Sequence, residues 1–224
     1  MLVKHVSKET KMIKTFNYND SYTEFSACTY IVGKTKGPCV IIDLGTTSDD
    51  VINYIKQHYS ICEAIILTHG HFDHIRGIPK FLASFPGTKV YIHEKDAKLL
   101  SDSYLNGGMT NGEEDVKLSI NPIKFKDEDT LEFKCETFKV IHTPFHTMGS
   151  CCFLDEDDNA LFTGDTLFKG SIGRTDLPTS QAELIKPSLR KLIDLSDFLV
   201  CYPGHDDATL LGNEKRNNIY FKLK

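Results

Sequence analysis

No Cys-x-x-Cys pair occurs in this chain, although cysteine stands at 28, 39, 62, 135, 151, 152 and 201. That spacing is what closes a small thiolate zinc module, so structural zinc on cysteine is not expected. Neighbours Cys151 and Cys152 would point to opposite faces of a strand, and the thiols read as reduced core residues. No apolar run approaches the ~20 residues of a membrane span. The segment 1–16 alternates charge with short apolar pairs and has no hydrophobic core of a signal peptide, so no membrane and a reducing cytoplasm are the expectation. Basic excess is missing too. The formal net charge of -5 gives no footing for nucleic acid. No Gly-x-Ser-x-Gly elbow is present, which removes the serine-hydrolase mechanism. Internal repeats and low-complexity linkers are also absent, so the 224 residues read as a single domain.

What the chain has in abundance is histidine in one place. Thr68-His69-Gly70-His71-Phe72-Asp73-His74 follows the apolar run Ala64-Ile65-Ile66-Leu67. The run reads as a buried strand and residues 69–74 as the loop leaving it. Imidazoles packed so densely repel one another on protonation unless something holds them neutral, and imidazole and carboxylate are ligands for zinc or iron. The loop reads as a metal site.

Elsewhere the pattern is sheet punctuated by helix. Residues 25–32 and 39–43 read as strands. A helix opens at Ser48-Asp49-Asp50 with Val51, Ile52, Ile55 and Tyr59 on one face. A second is expected through Ile75, Ile78, Phe81, Leu82 and Phe85, then a strand at 89–93 and a helix at 94–100. His93 reads as a packing residue. The polar, Gly-rich 101–115 connection suits a flap or a surface loop. Strands are expected at 123–125, 130–133, 137–142, 150–154 and 160–163, with 155–159 as a solvated hairpin tip. Residues 181–195 read as an amphipathic helix restarted at Pro187, and 198–202 as a last buried strand. Two sheets with helices on their outer faces is the economical α/β arrangement.

One loop cannot complete a metal centre. His142 and His146, which flank Thr143-Pro144, Asp165 and His205 all stand at or just past the end of an expected strand and offer the right chemistry. In this order, His69-x-His71-x-Asp73-His74, His146, Asp165 and His205 resemble the metallo-β-lactamase-fold hydrolase superfamily. Gly164-Asp165-Thr166 through Gly173-Arg174-Thr175-Asp176-Leu177-Pro178, with Pro203-Gly204-His205 and the tail 212–216, is similar to its glyoxalase II-like branch. The resemblance implies an αββα sandwich of two mixed sheets holding two divalent metal ions, zinc first, with iron or manganese as alternatives. It places His69, His71 and His146 on the first ion, Asp73, His74 and His205 on the second, and Asp165 across both. His142 is then a packing residue. The implied activity is hydrolysis of a small thioester of the 2-hydroxyacyl-glutathione type by a metal-bridging hydroxide, with Asp73 and Asp165 catalytic. Arg174 aligns with a basic position facing substrate, or else braces its loop on Asp176. The family's C-terminal helical glutathione-binding region is not expected, since the sequence stops soon after His205. Three departures stand out. Phe145 replaces a usual glycine and is expected to wall the pocket, Asp206 replaces a glycine, and Leu44 replaces a proline. A mononuclear-iron persulfide dioxygenase shares much of this pattern, and a lactonase or phosphodiesterase shares the fold.

Overall fold

The computed structural model describes residues 11–17 and 26–222. Strands β1 (Lys11–Phe16), β2 (Thr29–Lys34), β3 (Pro38–Ile42), β4 (Ile61–Ile66), β5 (Lys89–His93) and β6 (Ile123–Phe125) form one sheet in that order. Strands β7 (Thr130–Glu132), β8 (Thr137–His142), β9 (Cys151–Asp155), β10 (Ala160–Gly164), β11 (Val200–Pro203) and β12 (Thr209–Leu210) form the second. Both sheets are mixed: β3 to β6 pair in parallel, as do β10 and β11, and the other neighbours are antiparallel.

Strand periodicity explains the layering. Tyr30, Val32, Val40, Ile42, Ala64 and Ile66 point inward and meet Phe138, Val140, Phe153 and Phe162 of the second sheet. Their alternates, Ile31, Ile41 and Ile65, point outward onto α1 (Asp50–His58) and α3 (Ile78–Ser84). On the far side, Cys152, Leu154 and Leu161 meet Leu189 and Leu192 of α4 (Ile185–Ile193) and Leu211 of α5 (Leu211–Asn217). The result is the expected αββα sandwich. Cys151 and Cys152 do fall on opposite faces.

Several expectations need correction. The helix after the histidine loop breaks into α2 (Phe72–Ile75) and α3, because Gly77 donates to the Leu44 carbonyl and lies so close to Thr46 that a Cβ would sit 2.0 Å from its oxygen. Residues 94–100 form two short 3₁₀ turns, Glu94–Asp96 and Leu99–Ser101, instead of one helix. Asp96 turns inward and takes hydrogen bonds from distant backbone, which a regular exposed helix would not allow. Phe198 is 81% exposed and lies outside β11. The 155–159 tip is only partly solvated: Asp155 is buried, and Lys11 of β1 pairs with Asp155, Asp158 and Glu136, tying one sheet to the other. Strand β12 and helix α5 had no counterpart in the sequence reading. The expected lack of a signal-peptide core over residues 1–10, and Phe25 at the start of the expected 25–32 strand, lie outside the described residues.

In both sheets the strands that matter for function run the same way. β3, β4 and β5 are parallel, so their carboxyl ends share one edge. β8 and β10 each pair antiparallel with β9, and β11 is parallel to β10, so those three also end together. The inter-sheet core beneath is aromatic. Phe162 is fully buried, stacks on Tyr202 at 5.2 Å and meets Tyr30 edge-on at 5.4 Å. Phe162→Ala is expected to lower stability by ~3–5 kcal/mol in urea titration of protein at equal metal occupancy, whereas Phe198→Ala should stay within about 0.5 kcal/mol.

Candidate metal centre

The loop that leaves β4 is held before it reaches its first histidine. Asp43, just past β3, accepts from Thr68 N (2.8 Å) and Thr68 Oγ1 (2.6 Å) and from His74 Nδ1 (2.8 Å). Its φ of +53° is a conformation a non-glycine residue adopts at a cost of ~1–2 kcal/mol, which three hydrogen bonds to a buried carboxylate offset. His69 and His71 lie in the loop, but Asp73 and His74 sit on α2, which corrects the expectation of loop throughout. His146 comes from the loop after β8, Asp165 directly follows β10, and His205 follows β11. Four ligand candidates thus come from the first sheet and three from the second.

All seven converge. His71 Nδ1 lies 3.0 Å from His69 Nε2 and 2.9 Å from His146 Nε2. The outer nitrogens fix the tautomers. His146 Nδ1 is 2.8 Å from the Arg174 carbonyl, which can only accept, so Nδ1 carries the hydrogen. The Thr68 hydroxyl donates to Asp43 and so accepts from His69 Nδ1 at 3.2 Å. Two Nε2 lone pairs therefore face a third nitrogen, and a single N–H on His71 can satisfy only one of them. A cation among the three satisfies all of them.

Beside this group, His205 Nε2 lies 3.1 Å and His74 Nε2 4.0 Å from Asp73 Oδ2, the three forming a second possible ligand set. Asp165 stands between the groups. Its Oδ1 is 3.3 Å from His74 Nε2, and its Oδ2 is 3.3 Å from His146 Nε2 and 3.8 Å from His205 Nε2. His74 Nε2 and Asp165 Oδ1 are buried and have no hydrogen-bond partner among the described residues. Asp43 takes the Nδ1 hydrogen of His74, leaving its Nε2 to face Asp165. An orphaned imidazole nitrogen facing an orphaned carboxylate oxygen fits a cation held between them, beside the cation that the first three histidines would hold. The cluster is compatible with a dinuclear site.

Charge in the metal-free protein follows the same division. Burial, then the neighbouring imidazoles, holds His69 well below the ordinary histidine range, and burial with His146 beside it takes His71 down to about 3. Burial also lowers His146. Burial pulls His74 down as well, but Asp43, Asp73 and Asp165 overcome it and hold His74 well above 6.5. His205 is raised against burial by Asp165 and Asp73. Both carboxylates are lowered although burial opposes this: Asp165 by His205, His146 and His74, and Asp73 by His74 and His205.

A cleft of about 630 Å³ opens over the cluster, walled by Phe72, Phe168, Ile172 and Leu177 and edged by Asn106, Asn111, Arg174 and Asp206. The 101–115 connection therefore does border the pocket. Arg174 lines the cleft and pairs with Asp176 through Nε and Nη2, at 2.6 and 2.8 Å, so the bracing contact is made at the rim. Phe145 does not wall the pocket. It is fully buried with Leu161, Leu189 and Leu192 behind the ligand loop, and it is not among the residues with positive φ, so no strain replaces the missing glycine. Asp206 has φ +68° and so keeps the left-handed backbone a glycine would adopt. His142 stacks on His93 at 4.1 Å, away from the cluster. Backbone presses on the ligands themselves: a Cβ at Gly204 would lie 2.1 Å from Asp165 Oδ1, and one at Gly173 would lie 2.9 Å from His146 Nδ1. Asp43 and Asp96 were missed from sequence, and the one available signal was a carboxylate ending a wholly apolar strand at Asp43.

Comparison with known proteins agrees with this geometry. Residues 22–205 match the family model of the Metallo-beta-lactamase superfamily. A probable metallo-hydrolase from Streptococcus pyogenes is 34% identical over 186 residues, covering 81% of this chain and 80% of the relative. Hydroxyacylglutathione hydrolase GloC from Haemophilus influenzae is 31% identical over 186 residues, covering 82% and 87%. Among solved structures, the BLEG-1 B3 metallo-beta-lactamase superposes with a TM-score of 0.85 at 29% identity, covering 95% of this chain and 100% of that one. TTHA1623 in a di-iron-bound form superposes at 0.75 and 30% identity, covering 86% and 93%.

The opposed shifts set the pH dependence of the metal-free protein. His69, His71 and His146 titrate lower when folded, so below 6.5 the unfolded chain takes up protons that the folded one refuses, and stability falls with falling pH. His74 and His205 titrate higher when folded. Their contribution is full below 6.5 and is lost as pH rises through their folded values. Metal-stripped protein should therefore be most stable near 6.5 and weaken on both sides, measured as urea midpoints between about pH 4 and about pH 9. A flat profile would contradict this charge division.

Proposed function

The chain belongs to the metallo-beta-lactamase superfamily of metal-dependent hydrolases, and we propose that it is a dinuclear thioester hydrolase acting on 2-hydroxyacyl-glutathione-like thioesters. The observation that carries this reading is Asp165, whose two oxygens face imidazoles of both ligand groups at 3.3 Å. His69, His71 and His146 would hold one ion, Asp73, His74 and His205 the other, and Asp165 both. Zinc suits this mixed imidazole and carboxylate set, and iron or manganese is the alternative. Two divalent cations so held supply a Lewis acid and a water ionised near neutral pH.

The chain's own groups do the rest. Asp43, Thr68 and the Arg174 carbonyl fix the three imidazoles they touch in the tautomer that leaves Nε2 to face the cluster. The apolar wall of Phe72, Phe168, Ile172 and Leu177 takes the uncharged part of the substrate and keeps bulk water from it. Arg174, at the mouth, can exchange Asp176 for a substrate carboxylate. Asp73, which His74 and His205 hold below its ordinary range against burial, lines the cleft and can take a proton from the attacking water and hand it to the departing sulfur. A thiolate leaves with a pKa of ~8.5 and needs no strong acid, which is why a thioester suits a site in which the cleft carboxylates Asp73 and Asp165 are both held below their ordinary range. The relative named as a hydroxyacylglutathione hydrolase supports the choice of acyl thioester.

A second reading, a mononuclear-iron oxygenase of persulfides, draws on the unequal spread of the two groups. The first closes to 2.9–3.0 Å between nitrogens, and the second opens to 4.0 Å. Metal counting with a thioester panel separates the two. The hydrolase reading expects two metals per chain, hydrolysis abolished by a chelator and restored by zinc, and no oxygen uptake. One iron per chain with oxygen consumption would replace it. Asp165→Asn should lower kcat/KM on the order of a hundredfold or more while circular dichroism stays native, and unchanged turnover would rule out a role for that carboxylate.

A further inference from the structure

Asp96 is a carboxylate with no exposed surface, and the reaction described above does not use it. It ends the 3₁₀ turn Glu94–Asp96 that follows β5, on the first sheet. Its Oδ2 accepts from Gly70 N (3.0 Å) and Thr147 Oγ1 (2.6 Å), and its Oδ1 accepts from Gly149 N (2.6 Å). Gly70 lies between His69 and His71, while Thr147 and Gly149 follow His146. The two loops belong to different sheets, and one side chain holds both. Resting on the reading of the three histidines as a cation site, we propose that Asp96 is the positioning residue that sets the separation of the His69–His71 loop from the His146 loop, and so the shape of that ligand group.

A carboxylate is required there because every neighbour donates. Backbone N–H groups of Gly70 and Gly149 cannot reverse, so each needs an acceptor oxygen. An asparagine has one oxygen. With it on Gly149, its NH₂ would face the Gly70 N–H, donor against donor. The Thr147 hydroxyl can adapt, because it also lies 2.8 Å from Ser150 Oγ. With the oxygen turned to Gly70 instead, the NH₂ would face the Gly149 N–H, so asparagine unties one of the two loops in either orientation. The fit is close on the other side as well: a Cβ on Gly149 would sit 2.5 Å from Asp96 Cγ, so the His146 loop lies directly against the carboxylate. The turn that carries Asp96 is itself anchored, since His93 Nδ1 accepts from Lys95 N at 3.3 Å and the His93 ring stacks on His142.

The test uses full-length protein in three forms: wild type, Asp96→Asn and Thr147→Val. Each is stripped of metal, checked for a cooperative melt, and titrated with cobalt(II) while the visible spectrum is recorded. Zinc affinity is measured by competition with a chromophoric chelator. Asp96→Asn is expected to lose about 10- to 100-fold in zinc affinity, to shift the cobalt absorption band, and to lower kcat with KM nearly unchanged. Thr147→Val should move the same readouts in the same direction by less, and it carries the test if Asp96→Asn does not fold. Wild-type affinity and spectrum in whichever variants fold would overturn the proposal and leave Asp96 a packing residue. Wild-type protein that binds neither cobalt nor zinc would overturn the metal-centre reading itself, and this inference with it.

Discussion

Five imidazoles, four of them buried and His205 half-buried, and two buried carboxylates within a few ångströms tolerate one another only with positive charge among them. In the metal-free protein, acidic neighbours hold the protons of His74 and His205 more tightly than in a free imidazole, and burial loosens those of His69, His71 and His146. Much of the surrounding architecture serves to hold these groups where they would otherwise repel. The parallel ends of β3 and β4 bring Asp43 beside Thr68, and the shared direction of β8, β10 and β11 brings His146, Asp165 and His205 to one edge. The core between the sheets, aliphatic and aromatic with the Tyr30 hydroxyl donating to the Pro203 carbonyl, packs beneath that edge.

Two buried carboxylates outside the ligand set divide the bracing. Asp43 holds the start of the histidine loop and the Nδ1 of His74, and Asp96 holds its middle together with the neighbouring loop. Asp43 accepts from Thr68 and His74, and Asp96 from Gly70, Thr147 and Gly149, although burial still raises the Asp96 carboxyl to about 6. Both also stand at the end of a first-sheet strand. The first sheet therefore carries the supports as well as four of the candidate ligands.

The candidate ligands were legible in the sequence because each combines metal chemistry with a position just past an apolar strand, a pattern local in the chain. The strands themselves were legible for the same reason, down to the opposite faces of Cys151 and Cys152. What local pattern could not show was contact across the chain. Helix α3 starts late because Gly77 meets Thr46, and residues 94–100 tighten into 3₁₀ turns because Asp96 is drawn to Gly70 and Gly149. Phe145 was expected at the pocket because it neighbours a ligand, yet its side chain enters the layer under α4. Phe198 looked like strand because it is apolar and precedes Leu199 and Val200, but it is solvent-facing. Asp155 looked like a solvated turn because Lys11, its partner, is 144 residues away in the chain.

The bare α-carbons at Gly173 and Gly204 limit how such a site can diversify. Each lies where one added methyl would collide with a ligand side chain. Neither position can drift, so a duplicated copy acquiring a new substrate would have to change at the rim, in the 101–115 connection or along Phe168 to Leu177. Tolerance to mutation should thus rise steeply over the short distance from the floor of the cleft to its lip.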